Sequence, residues 1–68
     1  MPNETRITAA QIDKVIDADC YTIKWWRSGC PKLRRDIFDD QEVIGIDVEV
    51  DANNQPQLDI YVGDRIGE

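Results

Sequence analysis

Two stretches in the C-terminal half, "VIGIDVEVD" and "QLDIYVGD", alternate apolar and polar residues with a period of two. That repeat is the signature of half-buried β-strands, because successive side chains on a strand point to opposite faces. Ile44, Ile46, Val48 and Val50 are expected on one face of the first stretch, and Leu58, Ile60 and Val62 on one face of the second. The intervening "ANNQP" has turn chemistry, and Pro56 lacks the N–H needed inside a ladder. The two strands should therefore meet as an antiparallel hairpin. Its outer face would carry Asp47, Glu49, Asp51 and Asp59 as an acidic stripe.

The N-terminal half opens with a different period. In "ITAAQIDKVID", Thr8 stands as an N-cap, Gln11 follows three residues later to close a capping box, and Ile7 is placed to staple onto Ile12. Ile12, Val15 and Ile16 then fall at the spacing of one buried helical face.

Between these halves, "YTIKWWRSGCPKLRR" holds both tryptophans and five of the eight basic residues. Read as a strand, it sets Tyr21, Ile23 and Trp25 against Thr22, Lys24 and Trp26, in the β-branched and aromatic composition that strands favour. As a helix, it packs Ile23 and Trp26 inward and leaves Thr22, Lys24, Trp25 and Arg27 outside. The neighbourhood favours the helix: a capped helix ends near Asp17, a "DADC" turn follows, and Ser28, Gly29 and Pro31 supply a stop. Such spacing suits a helix-turn-helix, whose second helix enters a major groove.

On these residues, "ITAAQIDKVIDADCYTIKWWRSGCPKLR" resembles the MerR-like winged helix-turn-helix group, which includes phage excisionases and the DNA-binding domain of phage terminase small subunits. The resemblance spans residues 7–35: "TAAQIDKVI" is similar to the first helix, "TIKWWRSG" to the recognition helix, and Gly29, Pro31 and Arg34 to a "GxPxxR" segment entering the wing. It implies a small duplex-DNA-binding regulator or architectural factor. Tyr21, Thr22, Lys24, Trp25 and Arg27 would face the groove, while Lys32, Arg34 and Arg35 hold phosphates. Proteins of this kind often act in pairs, so a homodimer belongs to the expectation.

The resulting expectation is an α+β fold in one domain over residues 1–68. It comprises a polar leader (1–6), a basic part with two helices in a helix-turn-helix (7–35) and an acidic β-hairpin part (36–68). The alternative is one helix packed on a three-stranded antiparallel sheet.

Charge sharpens the rival function. The chain has 8 basic and 14 acidic side chains, a net charge of -6. Residues 1–35 carry seven basic against four acidic groups (+3), and residues 36–68 one against ten (-9). Such asymmetry suggests two faces with different partners. In the second reading, Asp47, Glu49, Asp51 and Asp59 form an acidic face that imitates a phosphate array and blocks a nucleic-acid-binding protein.

Other classes find little support. With no histidine, Ser28, Cys20 and Cys30 lack the usual activating base, and two thiols cannot complete a zinc site. "DANNQPQLDIYV" starts like a calcium loop, but Pro56 stands where that loop needs glycine and Val62 where it needs a bidentate acid. No enzyme, metal or cofactor is expected. The hydrophobic runs are too short for a membrane helix, and Met1 to Thr8 lacks the pattern of a secretion signal. A cytoplasmic protein with reduced, partly buried cysteines is expected.

Overall fold

The computed structural model describes residues 6–16 and 19–66. The helix begins where the capping signals place it. In α1 (Ala9–Val15), Gln11 N–H donates to Thr8 Oγ1 at 3.3 Å and Gln11 Oε1 accepts from Thr8 N–H at 2.8 Å, the reciprocal pair of a capping box. Its first turn is anchored by Ala10 N–H donating to Asp39 O. The helix is short, and only part of its expected apolar face is covered: Ala9 and Ile12 are buried, Ile16 is half-buried, and Val15 is 76% exposed.

The hairpin also forms. Strands β3 (Gln41–Val50) and β4 (Pro56–Arg65) pair antiparallel, with Ile46 opposite Ile60, Asp47 opposite Asp59 and Val48 opposite Leu58. Asp51 builds the turn: its Oδ1 accepts from the Asn53 and Gln55 N–H groups, each at 2.9 Å, the local side-chain bonding for which Asp is favoured in turns. Pro56 stands at the first position of β4, where its missing N–H costs little. A register shift between Val43 and Gly45 makes a bulge that turns Ile44 toward Gly63.

The central segment overturns the expected pair of helices. Thr22–Arg27 is a strand, β1, and it lies parallel to β4 with Trp25 beside Ile60 and Trp26 beside Tyr61. Ser28 and Gly29, read from the sequence as a helix stop, are the central residues of a hairpin turn into β2 (Cys30–Lys32). Their φ values of 54° and 81° are both positive, as a type I′ turn requires. The same polar-glycine pair serves either role, since each needs left-handed backbone. A single 3-10 turn, Arg34–Asp36, leads back toward β3.

The fold of the described residues is one α-helix on a four-stranded mixed sheet of order β2-β1-β4-β3. It is not a helix-turn-helix followed by a hairpin. It also departs from the three-stranded antiparallel alternative, by the parallel β1–β4 pair and by β2. The physical reason is burial. A two-stranded hairpin is marginal alone, and β1 covers the open side of β4, placing Leu58, Ile60 and Val62 in a central strand. The core on the helix side joins Ala9, Ile12, Trp25, Ile37, Ile60 and Val62.

Gln41 is buried beside this core and fully engaged: its Oε1 accepts from Phe38 N–H at 2.8 Å and its Nε2 donates to Gly63 O at 2.9 Å. The leader expected over residues 1–6 lies outside the described residues except for Arg6, as do Asp17 and Ala18 of the "DADC" turn. Cys20 and Cys30 are exposed thiols rather than partly buried ones.

Candidate functional site

The sheet separates the paired tryptophans, because adjacent residues on a strand face opposite ways. Trp25 goes into the core at 5% exposure, whereas Trp26 lies half-buried on the face away from α1. This reverses the helical expectation, in which Trp26 packs inward and Trp25 faces out.

The residues expected to touch DNA are correspondingly dispersed. Tyr21 and Thr22 are exposed at the start of β1. Lys24 places its Nζ 4.9 Å from the centre of the Trp26 ring. Arg27 donates to Gly63 O and to Asp64, both at 2.9 Å. Arg34 is held by Asp13 of α1, by Asp39 and by the Ile37 carbonyl, with its guanidinium 5.1 Å from the Trp25 ring. The hydrogen bond that Arg34 donates to Asp13 leads the causes that raise its pKa further, despite partial burial. Arg34 thus ties helix to sheet. Lys32 and Arg35 are exposed. With residues 22–27 extended, no recognition helix carries these groups.

The acidic residues divide in the same way. Asp47 and Glu49 project from β3, Asp51 is engaged in its turn, and Asp59 is only 1% exposed. Asp59 is the centre of a polar cluster on the sheet face opposite α1. Its Oδ1 accepts from Trp26 Nε1 at 3.2 Å and from Gln57 Nε2 at 2.9 Å. The Trp26 and Tyr61 rings stack at 6.3 Å between centroids.

Glu49 completes the cluster. Its hydrogen bond to Asp59, followed by the repulsion between the two carboxyls, raises the Glu49 pKa above the usual value. The same bond, with help from Gln57, Trp26 and Lys24, lowers that of Asp59 against the opposing effect of burial. Of the two carboxyls, Asp59 is therefore the first to ionise, and Glu49 keeps its proton to higher pH than an ordinary glutamate. Burial, then the neighbouring Asp47 and Asp59 charges, pushes the Tyr61 phenol up.

This cluster is the feature that sequence reading missed. The available signal was an acid, Asp59, set between Leu58 and Ile60. A carboxylate there requires partners. Those partners come from β1 and β3, so they are invisible until the sheet order is known.

Arg6, Arg27, Arg34 and Arg65 each lie within ion-pair distance of a carboxylate of this chain, at 3.9, 2.9, 2.7 and 2.7 Å. Arg35 and Lys24 are exposed, and the Lys24 charge acts on both Glu49 and Asp59. Among the described residues, no helix is long and apolar enough to cross a membrane. In comparisons with known proteins, the chain matches no family model, no curated protein and no solved structure.

Proposed function

We propose that this protein is an acidic protein-binding module, whose β3–β4 hairpin offers carboxylates to a cationic surface on a protein that handles nucleic acid. The observation that carries the reading is a division of labour among charges. Four arginines lie within ion-pair distance of carboxylates within the chain, while Asp47 and Glu49 are exposed on the edge strand of the sheet, Glu49 also bonding to Asp59.

A fixed row of carboxylates is a better imitation of a polyanion than a flexible acidic tail, because its spacing costs no ordering entropy on binding. Complementary charge accelerates encounter and selects cationic partners. The DNA-binding reading loses the recognition helix on which it depended, since residues 22–27 are a strand.

A competition experiment tests the proposal. Fluorescent duplex DNA is bound to each of a panel of basic DNA- and RNA-binding proteins, and this chain is titrated in at two salt concentrations. Displacement that weakens with salt and is abolished by Asp47→Lys with Glu49→Lys is expected. Direct binding of the chain to the duplex without displacement of any panel member would overturn it.

A further inference from the structure

The face of β3 toward α1 is left open by a mismatch of lengths. At seven residues, α1 is about 10 Å long, whereas the ten residues of β3 span about 33 Å. The helix therefore covers only one end of the strand. Ile46, Val48 and Val50, on the same side as the core residue Ile60, are 45%, 67% and 64% exposed.

Among the described residues, the outer edge of β3 is unpaired along the same stretch. It is covered near its start, where Thr8 bridges Glu42 and Val43 N–H donates to Ile7 O. Beyond Val43, among the described residues, no strand pairs with that edge. Unpaired edge groups beside exposed aliphatic side chains are a template for another strand.

We infer that the edge of residues 44–50 binds an extended peptide segment of a partner protein, in which basic and apolar residues alternate. The added strand extends the sheet through main-chain hydrogen bonds. Its apolar side chains lie beside Ile46, Val48 and Val50, and its basic ones beside Asp47 and Glu49. Period-two alternation is demanded because the two sets of side chains project from opposite faces of one strand. A second copy of β3 fits poorly, since edge pairing would bring Asp47 and Glu49 against the same residues of the copy. This inference rests on the acidic binding reading and specifies the partner's form.

Three seven-residue peptides test it: one alternating lysine and valine, one alternating glutamate and valine, and one with the lysines and valines in two blocks. Binding is followed by amide hydrogen exchange and chemical shifts of the full chain. The lysine–valine alternating peptide is expected to bind and slow exchange within residues 44–50, with about tenfold weaker binding by the other two. N-methylating its ladder amides should abolish the effect. Val48→Lys with Val50→Lys, at exposed positions, should also weaken binding by about tenfold without unfolding the chain.

Equal binding of the block peptide would refute strand addition while leaving the acidic reading intact. Binding of no cationic peptide, together with failure of DNA displacement, would remove both. Concentration-dependent protection of the same amides without peptide would assign the edge to self-association and overturn the inference.

Discussion

Trp26 and Asp59 meet across the parallel pairing of β1 and β4, with the indole Nε1 donating to the Asp59 carboxylate at 3.2 Å. Since Asp59 also accepts from Gln57 Nε2, its removal orphans two donors at once. Asp59→Ala should destabilise the protein by about 1–3 kcal/mol, the usual cost of leaving buried polar groups unsatisfied. Asp59→Asn, which keeps one acceptor oxygen, should cost less. Urea denaturation of both variants checks the order.

The two tryptophans should behave very differently on truncation. Trp25→Ala empties a core site and is expected to cost about 3–5 kcal/mol, comparable with the whole stability of a domain this small. Trp26→Ala removes a half-buried ring from the opposite face and should cost clearly less. Fluorescence separates them beforehand: Trp26→Phe, which leaves only Trp25, should emit further to the blue than Trp25→Phe, if the latter folds.

The turn between β1 and β2 makes a conformational prediction. Gly29 has a φ of 81°, and nothing lies within 4 Å of where a Cβ would stand, so the strain of Gly29→Ala is in the backbone alone. A loss of about 1 kcal/mol is expected. Ser28→Asn should instead stabilise by a few tenths of a kcal/mol, because Asn accepts positive φ more readily and Asn-Gly is a preferred type I′ pair. Thermal melts of the two variants should move in opposite directions.

Glu49 and Asp59 give opposite pH dependences. The Glu49 pKa is raised by its hydrogen bond to Asp59, so its stabilising contribution is present below the ordinary Glu value of 4.5 and is lost as pH rises through the raised value. The Asp59 pKa is lowered, chiefly by the same bond, so its contribution is present above the ordinary Asp value of 3.8 and is lost as pH falls through the lowered one. Glu49→Gln retains a donor for Asp59 that cannot ionise. Its melting temperature should therefore exceed that of the parent by a few degrees at neutral pH, and the advantage should vanish in acid below the ordinary Glu value. An advantage that did not change with pH would show that the two carboxyls do not share a proton.

The parts of the fold that rest on neighbouring residues were legible in the sequence. The capping box of Thr8 and Gln11, and the antiparallel hairpin with its turn in "ANNQP", follow from side chains within a few positions of each other, or from simple alternation. The acidic half was equally visible, but its use was not. Of the four residues in the expected stripe, only Asp47 and Glu49 project outward; Asp51 serves the turn and Asp59 the interior of the sheet.

The sequence by itself determined one capped helix, one hairpin and a strongly uneven charge, since each depends on local conformation or on residue counts. Only the tertiary structure decided that "TIKWWR" is a strand, because its local preferences were balanced and the stabilising partner, β4, lies more than thirty residues away along the chain. Burying Trp25 against Ile60 on one face, and joining Trp26 to Asp59 on the other, resolves that balance through contacts that no short window of sequence contains.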